Sequence, residues 1–101
     1  MAAGLILEFD GVTAKEYEAV NRELGIDMVS GKGNWPDGLI SHSGGRTEDG
    51  RLVVMEVWDS PEHQARFMDE RLGEALNRGG ITGPPTNVTW IELIAHHHPG
   101  D

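Results

Sequence analysis

Hydrophobic and polar positions alternate in four short runs and recur at helical spacing in two longer ones, in the order strand, helix, strand, strand, helix, strand. Residues 5–9 form the first run, with Leu5, Leu7 and Phe9 pointing one way and Ile6 and Glu8 the other. Thr13 with Glu16 three positions on is a capping box, and Tyr17, Val20 and Leu24 follow as a helical stripe with Ala14 and Asn21 on its flank. Gly25 is placed to end that helix. Residues 39–43 predict a second strand, with Leu39, Ser41 and Ser43 on one face and Ile40 and His42 on the other, and Asp49-Gly50 is a hairpin tip. The third strand, Leu52 to Trp58, runs into Ser60-Pro61-Glu62, which reads as N-cap, first helical position and a carboxylate suited to the helix dipole. The helix it opens, 61 to about 78, is expected to bury Ala65, Met68, Leu72, Ala75 and Leu76 before Gly79-Gly80 stops it. Residues 88–95 are the fourth strand.

Between the first helix and the second strand, residues 26–38 are punctuated by Gly31, Gly33, Asn34 and Pro36-Asp37-Gly38. Met28, Val29 and Trp35 in this stretch are costly to leave in water. Two readings follow: a loop pinned over the core by its apolar residues, or a lid in which Trp35 closes a pocket.

The element order is that of the ferredoxin-like split βαβ arrangement, an α+β fold with a four-stranded antiparallel sheet in one domain spanning 1–101. Two helices cover only one face of such a sheet. Strand phases assign Leu5, Leu7, Phe9, Val53, Met55, Val57, Ile91 and Leu93 to the helix side. The opposite face then holds Ile6, Glu8, Ile40, His42, Val54, Glu56, Trp58, Val88, Trp90, Glu92 and Ile94, a patch too apolar to stay wet, so a second copy of the same sheet is expected against it.

A net charge of −9 and a pI near 4.8 disfavour nucleic acid and anionic membrane surfaces as partners, and no segment approaches a membrane span in length. The absence of cysteine removes thiolate chemistry, disulfides and Cys-type zinc sites. The first residues lack a basic region, and their apolar run stops at Glu8, so no signal peptide is read and a cytoplasmic location is the expectation. One core of this size buries roughly two thirds of its extended-chain surface, which leaves room for help from a partner subunit.

The segments Gly38-Leu39-Ile40-Ser41-His42, Val53 to Trp58 with Asp59-Ser60-Pro61-Glu62, Arg66 to Leu72 and Glu92 to His97 resemble the dimeric α/β-barrel superfamily, in its antibiotic-biosynthesis-monooxygenase-like branch. The resemblance implies a homodimer of facing sheets, and a pocket in each subunit between sheet and helices or toward the shared barrel. It further implies cofactor-independent oxidation of planar aromatic or polyketide-like substrates, with cyclisation, isomerisation or ligand binding without turnover as alternatives. Haem-degrading relatives pair an early-strand asparagine with a strand-end tryptophan and a histidine late in the second helix. Trp58 matches that tryptophan, but Glu8 has no asparagine near it and the helix reads Glu74-Ala75-Leu76, so haem degradation is not expected.

Against that background His42 and Glu56 are the candidate catalytic groups, either one able to deprotonate an acidic phenol or enol in a dry pocket. Glu8 or Glu92 close to Glu56 would add a carboxylate cluster, and pairing of these acids with Arg46 or Arg51 is the structural alternative. Trp58, Trp90 and Trp35 are expected to stack on a planar ligand or fill an interface, and Asn21 and Tyr17 to reach a pocket from the first helix. His63 is read as surface or interface. His96-His97-His98 alternate sides along a strand and cannot all reach one ion, so no metal site is expected, and a native polar tail or an appended remnant both remain open.

Overall fold

The structure is a computed structural model and describes residues 2–97 and 99. β1 (Ala3–Phe9), β2 (Leu39–Arg46), β3 (Leu52–Trp58) and β4 (Asn87–Glu92) form one antiparallel sheet in the order β2-β3-β1-β4. The first helix, Ala14–Leu24, starts at the Thr13–Glu16 capping box and closes at Gly25 in left-handed geometry, as its residues predict. The second helix, 61–78, opens at Ser60, whose hydroxyl accepts from the His63 N–H. Both helices lie on one side of the sheet, which is the ferredoxin-like α+β arrangement.

The expected side-chain phase of two strands is reversed. Directly paired residues of an antiparallel ladder share a face, and β1 pairs Leu5 with Glu56, Leu7 with Val54 and Phe9 with Leu52. The helix side of β3 therefore carries Leu52, Val54, Glu56 and Trp58, and Trp58 is completely buried. Val53, Met55 and Val57 face the open side instead. β4 follows the same rule: Leu5 pairs with Trp90 and Leu7 with Val88, so Ile91 and its neighbour Leu93 belong to the open side. Choosing the uncharged face of β3 as the buried one fails because the Glu56 carboxylate is hydrogen-bonded inside the core.

In β2 the ladder shifts between Leu39 and Ser41, leaving Ile40 as the extra residue. Leu39 pairs with Trp58 and His42 with Glu56, so both face the helices while Ser41 and Ser43 turn away. A strict period of two cannot express this, because a bulge inverts the phase of every residue after it. His42, Glu56 and Trp58 thus lie under the protein's own helices rather than on the face assigned to a second copy.

The second helix also departs from a uniform stripe. It is α-helical over Pro61–Phe67, widens to a π turn over Met68–Leu72 and returns to α geometry over Gly73–Arg78. Phe67 packs on the Trp58 ring with centroids 5.8 Å apart, and Ala65 is exposed. The loop after the first helix is held by Ile26, which is buried and bridged to Gly33, rather than by Met28 or Val29, the latter 98% exposed. Gly33 has φ +148°, and a Cβ there would sit 2.3 Å from the Gly25 carbonyl oxygen, so this crossing requires glycine.

Candidate functional site

Between the two helices and the sheet lies a cavity of about 80 Å³. Its walls are almost wholly aliphatic and aromatic, from Leu7 and Phe9 of β1 to Phe67, Met68 and Leu72 of the second helix. Among the described residues, polar character is confined to four side chains: Tyr17 and Asn21 from the first helix, His42 from β2 and Glu56 from β3. No lysine or arginine among the described residues borders it.

Three of these groups form one hydrogen-bonded chain. The Glu56 carboxylate accepts from His42 Nδ1 at 2.8 Å through one oxygen and from Trp58 Nε1 at 3.1 Å through the other. That fixes the His42 proton on Nδ1 and leaves Nε2 as an acceptor, which receives the Tyr17 hydroxyl. The imidazole and phenol planes are within 3° of each other, so the contact runs edge to edge between two rings held by a strand and a helix. Tyr17 reaches the sheet because Gly44 follows on β2: a Cβ at Gly44 would lie 2.5 Å from the phenol oxygen.

Burial pushes the Tyr17 phenol above its ordinary pKa, the Asn21 side chain pulls it back down, and the Glu56 charge adds to the rise. The phenol therefore stays protonated at neutral pH as the donor of the chain. Asn21 is 4% exposed, and its amide nitrogen donates to the Tyr17 carbonyl oxygen one turn back at 3.0 Å.

Trp35 closes the cavity over His42, ring centroids 5.5 Å apart, with its indole N–H donated to the Gly31 carbonyl at 2.9 Å. Arg71, from the π turn, holds the loop down. One of its nitrogens donates to the Asn34 carbonyl at 2.6 Å and the Leu24 carbonyl at 3.0 Å, while the guanidinium lies over the Phe67 ring at 5.3 Å. Neither Arg71 nor Phe67 was legible as part of a site. Their only signal is a cation beside an aromatic in the second helix, and the π turn that aims them is invisible to a 3.6-residue period.

Of the residues singled out from the sequence, His42, Glu56, Asn21, Tyr17 and Trp35 converge on the cavity. Trp58 does not line it but lies behind Glu56 as its second hydrogen-bond donor. Trp90 is half exposed on β4, away from the cavity. The expected carboxylate cluster is not formed: Glu8 is on the open side paired with Arg51 at 3.2 Å, Glu92 is exposed, and Glu56 has His42 as its partner in place of an arginine. His63 is half exposed and bonded to Asp59. Among the described residues no histidine, aspartate and glutamate cluster could hold a metal, and His98 of the terminal histidine run lies outside the described residues. No helix among the described residues is long and apolar enough to cross a membrane.

No family model and no curated protein matches the chain. Solved structures do. A Chloroflexus aurantiacus protein provisionally assigned as an antibiotic biosynthesis monooxygenase superposes with a TM-score of 0.68 at 19% identity, over 99% of this chain and 100% of its own. SnoaB, a cofactor-independent oxygenase of Streptomyces nogalater, gives a TM-score of 0.58 at 13% identity, over 99% and 97%. The ActVA-Orf6 monooxygenase of Streptomyces coelicolor, solved with nanaomycin D, gives 0.54 at 23% identity, over 97% and 90%. End-to-end superposition at such low identity is agreement in backbone path, and the chain has the ferredoxin-like fold of the antibiotic-biosynthesis-monooxygenase-like proteins.

Proposed function

We propose that the protein is a homodimer whose subunits each bind a small, planar, mostly apolar molecule in the cavity between sheet and helices. On this reading it oxidises that molecule as a cofactor-independent monooxygenase. The observation that carries the proposal is the Tyr17–His42–Glu56 chain at the wall of an otherwise apolar cavity. A buried histidine with a carboxylate on Nδ1 serves as a general base where a ligand hydroxyl displaces the Tyr17 hydroxyl from Nε2. Trp58 keeps the carboxylate oriented, so it acts as a positioning residue.

A phenol or enol entering the cavity gives up its proton toward His42 Nε2, and the imidazolium is balanced by Glu56. The anion is electron-rich enough to react with dioxygen directly, which is the co-reactant. At a ring methylene, carbon is oxidised to a carbonyl while dioxygen is reduced: one oxygen atom remains on carbon, and the other leaves as water with the two methylene hydrogens. The same deprotonation without oxygen would serve a cyclase or isomerase. The oxygenase and the monooxygenase among the structural neighbours support the first reading by their shared fold.

The open face of the sheet supports the dimer. Ile6, Val53, Met55, Val57, Ile91 and Leu93 share it, and Met55 is 50% exposed. This face differs from the one first expected, but a second copy of the sheet remains the economical cover.

Thermal-shift screening with aromatic polyketides and quinols should find stabilising ligands, and an oxygen electrode should record consumption with a subset of them. His42→Ala should lower turnover by about 10²-fold or more, the range for loss of a general base, while leaving the oligomer unchanged. Undiminished turnover in His42→Ala removes His42 from the chemistry. A second reading is favoured by one feature: every hydrogen-bonding atom of the Tyr17–His42–Glu56 chain already has a partner within the protein, as in a purely structural network. A non-catalytic binding protein would bind the same ligands and consume no oxygen with any of them.

A further inference from the structure

His42 Nε2 is the ring nitrogen that Glu56 leaves free, and the Tyr17 hydroxyl occupies it. A ligand hydroxyl that reaches the base therefore takes the place of the phenol, and where the phenol goes decides what it does next. Its room to move is narrow. Gly44 lies behind it, close enough that a Cβ there would stand 2.5 Å from the phenol oxygen. The ring lies within 3° of the imidazole plane, and the first helix fixes the backbone beneath it. The Asn21 side chain, one turn on, donates to the Tyr17 carbonyl and also acts on the phenol, favouring negative charge on its oxygen. The open direction is into the cavity, which Tyr17 and His42 both border. A phenol moved off Nε2 by one hydrogen-bond length still faces the oxygen that displaced it, and burial keeps its proton in place at neutral pH.

Resting on the cavity being the ligand site and His42 the base, we infer that Tyr17 is a second catalytic residue: once displaced, it donates its hydroxyl hydrogen to the ligand oxygen and stabilises the anion that His42 creates. In that step the ligand O–H bond breaks, the proton passes to Nε2 and the electron pair stays on oxygen. Tyr17 keeps its own proton throughout. A neutral ligand gains little from Tyr17, because the phenol gives up its bond to His42 to make the new one. The anion gains more, since a hydrogen bond to a charged oxygen is roughly twice as strong as one between neutral groups. The contribution thus grows as charge develops, which is the condition for speeding a step rather than only binding. The site answers the negative oxygen with the His42 imidazolium on one side and, on the other, a phenol that the Asn21 side chain backs.

Phenols fluorinated at different ring positions keep nearly one size while their acidity rises, so they separate charge from fit. Each is bound to the whole protein with its hydroxyl-bearing carbon isotope-labelled, so that its NMR shift reports the ionised fraction. Tyr17 is the single tyrosine of the chain, so tyrosine labelled at Cζ marks it alone. In wild type the Tyr17 Cζ shift should move progressively as the bound phenol becomes more acidic, because its hydrogen bond ends on the ligand oxygen. In Tyr17→Phe the ratio of ionised to neutral bound phenol should fall about tenfold or more, the worth of one hydrogen bond to a charged group. A Tyr17 Cζ shift that is the same for every bound phenol overturns the inference, since the hydroxyl has then stayed on His42 or turned away. An ionised ratio in Tyr17→Phe equal to that of wild type overturns it too, because a structural role weakens both forms alike. If no phenol perturbs the His42 and Tyr17 signals, the ligand-site reading falls and takes this one with it.

Discussion

A buried carboxylate is costly unless every oxygen is bonded, and Glu56 shows how one is kept. It is 9% exposed, with His42 on one oxygen and Trp58 on the other. Those partners come from an adjacent strand and from two residues along the same strand, so the arrangement depends on sheet register rather than on any contiguous motif. Tyr17 extends the chain to the first helix, and its raised pKa has a consequence for stability. The native state holds the phenol proton more tightly than the unfolded chain, whose tyrosine titrates at its ordinary value of 10.0. Between that value and the native one, the folded protein binds more protons than the unfolded, so stability is complete below about pH 10 and falls as pH rises through the window. Denaturant midpoints for wild type and Tyr17→Phe should therefore converge between pH 8 and about pH 11, because the variant lacks this loss. A gap that stays constant with pH would show that Tyr17 ionises alike in both states.

At the scale of elements, the loop 26–38 and the second helix depend on each other. Of the loop's apolar residues only Trp35 packs inward with Ile26, and the segment is tied to the second helix by Arg71 at Asn34 and Leu24. The π turn over Met68–Leu72 contains Arg71, and such turns often mark functional places in helices. The tie is a charge-assisted bond to carbonyls at a partly exposed position, so its removal should loosen the loop without unfolding the domain. In Arg71→Met, amide exchange over 27–37 should quicken by about tenfold or more, the equivalent of some 1.4 kcal/mol of local opening, while β1 and β3 keep their protection. Uniformly quicker exchange across the sheet would instead make Arg71 a global stabiliser. Strands and helix ends were legible here because capping and alternation are local properties. The π turn and the β2 bulge were not, since each is a one-residue irregularity set by packing against other elements.

For the whole molecule the outstanding question is the face of the sheet that the helices leave uncovered. Its apolar residues are expensive to keep in water, and the proposed cover is a second copy in the manner of facing sheets. Sedimentation should then give about 22 kDa, twice the 11.0 kDa chain. Met55→Lys places a charge at the centre of that face and should shift the mass to the single chain while the isolated fold persists, because an exposed position tolerates the change. A wild-type protein that sediments as 11.0 kDa, or a Met55→Lys variant that stays dimeric, would remove the facing-sheet arrangement.

By itself the sequence determined the element order, the antiparallel ferredoxin-like class and the helix caps, because each rests on neighbours within a few positions along the chain. It also named five of the residues that meet at the cavity. It misplaced four of the seven it singled out: His42 and Glu56 by face, Trp58 by face and by its role behind the cavity, and Trp90 by face and by its distance from the cavity. Only the tertiary structure decided which side of β3 is the inside. Leu52-Val53-Val54-Met55-Glu56-Val57-Trp58 offers two nearly equal apolar faces, and local pattern favours the one without a charge. Pairing of His42 with Glu56 brings one of the carboxylate's partners from another strand, and Trp58, two residues on, supplies the other. Once those bonds exist the charged face is the cheaper one to bury.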